Sequence, residues 1–433
     1  MVKVSNVILG LGETGLSYAR YLAARGEVFM VLDDAVSSDR LAALRTVSSE
    51  ADVAPITGTS IASAQNVYVS PGVPLSLPAV VENTTVDQLR GDVQMFGEMA
   101  AAPFVAITGT NGKSTVAQLV YEIATQQFDR VALGGNIGTP CLDLLSPEVD
   151  LYVLEVSSYQ LELAVELAAD VAVVLNLSAD HLDRYPSAQA YFNTKLALYG
   201  HCRSAVINRA VDYQPRRDIP TVSIGMDPVG GTAQLGVLGD AITLAGEVLI
   251  RKHELRLSGF HNLLNVQAAI GIGLLLDFEI DPMLTAVKSF TGLPHRSELV
   301  AKINGVRYVN DSKGTNPGAM IAAVEGEAGN RNVHLIAGGV AKGADFSVLQ
   351  PAIAHCLKRA YLIGEAATAI VEALPNTTSD IYPDLLAALE AAHDCAEPGD
   401  VVLLSPGCAS FDQFRNYAAR GDAFRKTVQR LSE

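Results

Sequence analysis

"VAITGTNGKSTVAQLV", residues 105–120, runs apolar into two glycines and resumes as a helical pattern. Such a change of period marks a buried strand turning into a helix, the setting a phosphate-binding loop requires. The usual loop is Gly, four residues, then Gly-Lys-Ser/Thr. Here the place of the first glycine is taken by Ile107, and the nearest glycine is Gly109. The parts of the loop are otherwise in place. Gly109 and Gly112 let the backbone of Gly109-Thr110-Asn111-Gly112 turn its N–H groups inward. Lys113 supplies a cation for the outer phosphates, and Ser114 or Thr115 a hydroxyl for Mg²⁺.

Outward from this stretch, short β-branched runs alternate with Ala/Leu-rich helical patterns, the sign of α/β layering with parallel sheets. Three blocks are expected. Residues 1–91 open with strand "NVILG", a glycine loop, a helix over "LSYARYLAAR" and strand "VFMVLDD". Residues 92–292 carry the quoted loop and the strands "LYVLEV" and "VAVVLNL". The linker "TGLPHRSE" leads into 293–433, with strands "VRYVND", "NVHLIAGG", "RAYLIG" and "DVVLLSPG". Ligands of such sheets sit beyond the carboxyl ends of the strands, where every motif of interest falls.

A chain of 433 residues with 49% hydrophobic content can bury several cores. Its apolar runs are too short to span a bilayer, and the opening "MVKVSNVILGLGETG" reads as a first strand. The five scattered cysteines form no Cys-x-x-Cys pair, which favours reduced thiols and a cytoplasmic setting. The net charge of −16 argues against a nucleic-acid partner but permits anionic ligands held by local cations and backbone N–H groups.

In the first block "GLGETG", Gly10–Gly15, fits G-x-G-x-x-G, and Asp33 ends the next strand at the spacing of a ribose-binding acid. A dinucleotide oxidoreductase is the reflex reading. Against it, the block holds only half of a doubly wound dinucleotide domain, and no hydride-transfer site follows. "VSPGV", with Ser70, Pro71 and Gly72, is a second strand-end turn. In the central block Glu155 ends an apolar strand, where its carboxylate can hold Mg²⁺. Asp180, His181 and Asp183 cluster past another strand and suggest a second cation site. Lys195 lies on a helix that Ser187 can cap, and it projects from a mostly apolar face with Tyr191, Phe192, Leu198 and Tyr199. Two readings stay open. Either it snorkels to water, or a dry pocket lowers its pKa so that the neutral amine adds CO₂ and becomes a carbamate, an anionic metal ligand. In the third block, "NDSKGTNPGAM" runs into a helix with Thr315 or Asn316 as cap. Its N-terminus, Lys313, the Lys342 turn and the Ser410 turn together suit a dicarboxylate.

"GTNGKST", "GGNIG", "EVSSYQLE", "DHLDRYPS…K", "GFHNLLN", "GLPHRSE", "NDSKGTNP" and "SPGCASFDQF", in this order, resemble the Mur ligases of bacterial cell-wall synthesis over nearly the whole chain. The loop then reads as the shortened phosphate loop of ATP-dependent amide-bond ligases. It is shared with folylpolyglutamate synthases, whereas "NDSKGTNP" with "SPGCASFDQF" resembles the members that add D-glutamate. The resemblance implies a three-domain α/β fold, with a Rossmann-like first domain, a P-loop ATPase-type central sheet and a Rossmann-like third domain. It implies ATP, two Mg²⁺ ions, UDP-N-acetylmuramoyl-L-alanine and D-glutamate as ligands of a monomeric cytoplasmic enzyme.

By the same resemblance, Lys113 meets the phosphates, and Ser114 and Glu155 surround one Mg²⁺. His181 and a carbamylated Lys195 hold the second. Asn262, Asn265, Arg296 and Asp311 attend the nucleotide, and Asn136 and Ser157 the muramoyl-alanine part. Gly12, Thr14, Gly15, Asp33 and Ser70–Gly72 hold the UDP group. Lys313, Thr315, Lys342, Ser410 and Tyr417 hold D-glutamate. Two departures stand out. Where relatives carry a hydroxyl residue and an arginine after the first block's acid, this chain has Asp34-Ala35, which leaves Arg40 as a substitute. Relatives also carry an acid before the lysine of "GGVAK", where Val340 and Ala341 stand.

Overall fold

Alternate residues of strand Phe104–Thr108 face different cores. Phe104 and Ala106 join Tyr152, Leu154 and Ala172, while Val105 and Ile107 join Val116, Val120 and Val153. Both faces are covered, as parallel strands require. The computed structural model describes residues 5–213, 218–257, 259 and 261–432. Around this strand lie, in spatial order, Thr221–Ile224, Ala205–Asn208, Val171–Val174, Phe104–Thr108, Leu151–Glu155 and Val131–Gly135, all parallel. The central block opens on helix Asp92–Met99, ahead of strand Phe104–Thr108. Its Phe96 meets Phe104 and Tyr152 edge to face, at 5.5 and 5.0 Å between ring centroids. The first sheet and one face of the central sheet thereby share one continuous core.

The first sheet orders Asp52–Ala54, Phe29–Leu32, Asn6–Leu9, Asn66–Val69 and Leu89–Arg90, all parallel. The strand order reverses between Asn6–Leu9 and Asn66–Val69, so the Gly10 and Ser70 turns open a crevice there. The third sheet orders Glu298–Ile303, Val306–Asn310, Val401–Leu404, Val333–Gly338, Leu357–Ile363 and Ser379–Ile381. Its first strand is antiparallel to the second. That strand was not among those expected, and Asn304-Gly305, at φ 49° and 83°, is the two-residue loop that closes the hairpin. Also unanticipated is a three-stranded antiparallel meander, Leu235–Leu238, Ala241–Leu244 and Glu247–Arg251. It packs Leu235, Ile242 and Ile250 into the core behind the phosphate loop.

None of the five cysteines is in a disulfide. Among the described residues, no helix is long and apolar enough to cross a membrane.

Candidate active site

Strand order decides which loops become neighbours. Ile107 pairs with Glu155 and Thr108 with Val174, so the loop after 108, the Glu155 turn and the Asn176–His181 segment leave the sheet side by side. Helix Lys113–Ala124 begins from Gly112, whose φ of 86° admits few residues other than glycine. A Cβ there would also stand 2.5 Å from Asn265 Oδ1. Asn176 braces the loop: its Oδ1 accepts from Asn111 N at 2.9 Å and its Nδ2 donates to Asn111 O at 3.0 Å. Thr110 Oγ1 donates to Ser178 O and accepts from Ser178 N, each at 3.1 Å. Nothing local in the sequence marks Asn176 as this brace, although it stands at the end of "VAVVLNL".

Lys113 Nζ donates to Gly109 O and Thr110 O, each at 2.9 Å. Burial lowers its pKa; nearby Glu155 opposes this and Arg296 adds to it. Glu155 is buried, with Oε1 accepting from Asn136 Nδ2 at 2.7 Å. Its Oε2 is buried without a hydrogen-bond partner. A buried carboxylate oxygen left unsatisfied is costly, and Ser114 lies on the neighbouring loop, so these residues fit a divalent cation. Ser114 Oγ accepts from Arg296 Nη2 of the third block at 2.9 Å.

Of the two readings of Lys195, the structure bears out burial. The residue is 1% exposed on helix Ala188–Leu196, which Ser187 caps by accepting from Ala190 N at 3.2 Å. Its Nζ donates to Thr108 Oγ1 at 3.2 Å and stands 5.0 Å from the Tyr191 ring centre. Burial drives its pKa well below the usual lysine value, and Lys113 lowers it further against Asp180 and Glu155. Two desolvated lysines beside one loop make a site that gains by taking up negative charge.

His181 has φ 54°, and its Nδ1 lies 2.7 Å from Tyr159 Oη. Burial lowers its pKa against the pull of Asp180. Among the described residues no group of three His, Cys, Asp or Glu side chains is placed to hold a metal. The Asp180–His181–Asp183 cluster is thus not a complete cation site by itself.

The third block reaches across. Asn316, not Thr315, caps helix Pro317–Glu327. Its Nδ2 donates to Asn111 Oδ1 at 3.3 Å and Asp180 Oδ2 at 3.0 Å, tying that helix start to the loop. Asn265 Nδ2 donates to Asn262 Oδ1 at 2.8 Å on the floor beside it. Asp311 is buried, accepting from Ser405 Oγ at 2.7 Å and Ser297 N at 3.1 Å. Burial pushes its carboxyl from the usual 3.8 to about 7. Between those values the folded chain holds a proton that the unfolded chain has released, so this group's contribution to stability falls as pH rises towards about 7. Asp311→Asn is expected to flatten the pH dependence of the urea midpoint over that range. An unchanged slope would contradict a protonated Asp311.

Three clefts meet. One of about 60 Å³ is lined by Asn111, Gly112, Asn262, Asn265, Arg296 and Asp311. A central one of about 450 Å³ holds Lys113, Glu155, His181, Lys313, Thr315 and Lys342. A third, of about 590 Å³, is lined by Gly12, Thr14, Asp33, Ser70, Pro71 and Gly72. Asn111, Arg296 and Lys313 line both the first and second, and Asn136 both the second and third.

In the third cleft, Asp33 accepts from Leu11 N at 2.6 Å and Ala35 N at 2.8 Å, fixing the glycine turn. Gly15 is required by contact, since a Cβ there would meet Gly10 O at 2.0 Å. Arg40 pairs with Glu13 at 2.8 Å and is not part of the cleft wall. Ser157 caps helix Ser158–Leu161, and Gln160 rather than Ser157 lines the cleft. Ser410 is buried behind the central cleft, whose wall is formed there by Ala409. Tyr417 presents its ring 3.9 Å from Lys313 Nζ.

A braced phosphate loop, a glycine-turn cleft and a cationic third wall are all open to one another. The matches to known families give the particular line. Residues 4–88 match the Mur ligase MurD-like N-terminal domain, 107–273 the Mur ligase middle domain, and 295–408 the Mur ligase glutamate ligase domain. The chain belongs to the Mur ligase family, the ATP-dependent ligases that form peptide bonds. It is 42% identical over 438 residues to the UDP-N-acetylmuramoylalanine–D-glutamate ligase of Marinobacter nauticus, covering 98% of both chains. It is 40% identical over 440 residues to the enzyme of that name from Pseudomonas aeruginosa, again covering 98% of both chains. Among solved structures, the fold is shared with MurF from Acinetobacter baumannii, at TM-score 0.65 and 16% identity over 97% of this chain and 93% of that one. It is shared also with the UDP-N-acetylmuramate-alanine ligase MurC from Thermotoga maritima, at TM-score 0.62 and 16% identity over 99% of each.

Proposed function

We propose that this chain joins D-glutamate to the alanyl carboxylate of UDP-N-acetylmuramoyl-L-alanine, with ATP cleaved to ADP and phosphate. The observation that carries the proposal is the run of three connected clefts, each with the chemistry for one substrate. It stands beside the D-glutamate ligases at 40–42% identity. Residues 1–91 take the UDP handle, through the N–H groups of the Gly10–Gly15 turn, Thr14, Asp33 and Ser70–Gly72. Residues 92–292 hold the triphosphate on the Gly109–Thr115 loop, with Asn262 and Asn265 beside the nucleoside. Residues 293–433 bring Arg296 and Asp311 to the nucleotide and Lys313, Thr315 and Lys342 to the amino acid, with Tyr417 against Lys313 and Ser410 backing the wall at Ala409. Asn136 and the Ser157–Gln160 turn face the muramoyl-alanine end.

An alanyl carboxylate oxygen attacks the γ-phosphorus of ATP and ADP leaves, giving an acyl phosphate. The D-glutamate amine then adds to its carbonyl carbon. The tetrahedral intermediate collapses with loss of phosphate, and the ammonium proton passes to solvent or phosphate. Carboxylate and triphosphate repel each other, so Lys113 and the inward N–H groups must offset charge as they approach. Ser114 and Glu155 would hold one magnesium ion, and His181 with a carbamylated Lys195 a second, which would further neutralise phosphate charge. Arg296–Ser114 and Asn316–Asp180 bridge the third and central blocks beside the phosphate loop.

The test is phosphate release from ATP with UDP-N-acetylmuramoyl-L-alanine and, in turn, D-glutamate, L-glutamate, L-lysine and diaminopimelate. Turnover with D-glutamate is expected to exceed the others by at least about 100-fold. Turnover confined to another amino acid would overturn the assignment.

A further inference from the structure

We propose that Asp92 is a positioning residue for the acceptor substrate, a buried carboxylate that fixes the Gln160 amide in the wall of the third cleft. The proposal rests on the reading of that cleft as the site of the UDP-linked acceptor. Asp92 begins helix Asp92–Met99 and is 1% exposed. Its Oδ2 accepts from Gln160 Nε2 at 2.8 Å and from Cys141 Sγ at 3.5 Å. Gln160 lines the cleft itself. Cys141 directly follows Pro140, which lines it together with Gly135, Asn136 and Gly138. One carboxylate oxygen therefore stands behind two separate stretches of the wall.

The amide has a single orientation. Ser157 N can only donate, and it does so to Gln160 Oε1 at 3.0 Å, while Ser157 Oγ donates to the same oxygen at 3.1 Å. An ionised carboxylate can only accept, so Asp92 takes the nitrogen end. A flipped amide would set oxygen against oxygen at Asp92 and nitrogen against nitrogen at Ser157. In the orientation held, one N–H of Nε2 is used by Asp92, and the second is left for an oxygen of the acceptor.

A helix start attracts acids, but its field is felt equally by an acid that faces water. This one turns inward, and its Oδ1 is buried without a hydrogen-bond partner. Such an oxygen is a poor way to hold a fold together, because apolar packing does this at lower desolvation cost. Burial raises the Asp92 pKa, and the Gln160 hydrogen bond is the largest influence opposing that rise. Close packing keeps the two parts in register. A Cβ on Gly91 would stand 2.6 Å from Leu163 Cβ, and Gln94 Oε1 accepts from Glu166 N at 3.1 Å.

The test is calorimetric titration of UDP-N-acetylmuramoyl-L-alanine, and of UDP alone, into the full-length wild type, Asp92→Ala, Gln160→Met and the double variant, with thermal midpoints as a check on folding. Asp92→Ala is expected to weaken acceptor binding at least about tenfold and UDP binding by less than about twofold. The double variant is expected to bind the acceptor within about twofold of Gln160→Met, because Asp92 acts through that amide. Equal weakening of both ligands, no weakening in a folded variant, or additive losses in the double variant would overturn the proposal. If Asp92→Ala does not fold, the isosteric Asp92→Asn decides: a loss of at least about threefold for the acceptor alone supports it, and no selective loss overturns it. Wild-type preference for the acceptor over UDP without that split sinks this inference alone. A wild type that binds the acceptor no more tightly than UDP sinks the reading of the cleft and this inference with it.

Discussion

Lys195→Ala is expected to lower turnover by about 10³-fold or more, and added short carboxylic acids such as formate or acetate are expected to restore part of it. The amine is buried against Thr108 Oγ1 and the Tyr191 ring, where an ammonium is poorly solvated and Lys113 repels it. A neutral amine in that place can add CO₂ with loss of a proton, turning an unfavourable cation into an anion beside His181 and Asp180. The alanine variant leaves room for a small carboxylate to occupy the same position. Phosphate release measured with and without such acids decides the matter. A variant that retains full turnover, or one that is dead and not restored by any acid, contradicts the carbamate.

Lys113→Ala is expected to be as damaging, with a loss of about 10³-fold in kcat/KM and weakened nucleotide binding. Lys113 Nζ rests on the carbonyls of Gly109 and Thr110, two weak partners for a buried cation, and a triphosphate offers far better ones. The check is steady-state kinetics together with titration of a fluorescent ATP analogue. Binding and turnover both within about threefold of wild type would show that the loop does not grip the phosphates.

The strand, loop and helix across 105–120 are legible in the sequence because each is a local event: a change of hydrophobic period, glycines at a turn, a basic residue at a helix start. The Ser187 cap and the Asn316 cap are legible for the same reason. What does not show is which loops become neighbours, since that follows from strand order. Asn176 reaches Asn111 across 65 positions and Arg420 reaches Ser312 across 108. Arg420 on helix Tyr417–Leu431 is buried because that helix packs on turns from three strands, which no local pattern shows. Lys195 lies between these cases. Its apolar neighbours are visible along the helix, but the choice between snorkelling and burial depends on Thr108, which arrives from another strand. The Asn304-Gly305 hairpin is the opposite case, a local signal present in the sequence and passed over in the reading.

The central claim, that the loop presents ATP so that the acceptor carboxylate becomes an acyl phosphate, is tested most directly by isotope transfer. UDP-N-acetylmuramoyl-L-alanine labelled with ¹⁸O in both carboxyl oxygens is turned over with ATP and D-glutamate, and the released phosphate is examined by mass spectrometry. One ¹⁸O atom is predicted in each phosphate, because the oxygen that attacked phosphorus leaves with it. Phosphate free of ¹⁸O, formed alongside the D-glutamyl product, would contradict the account.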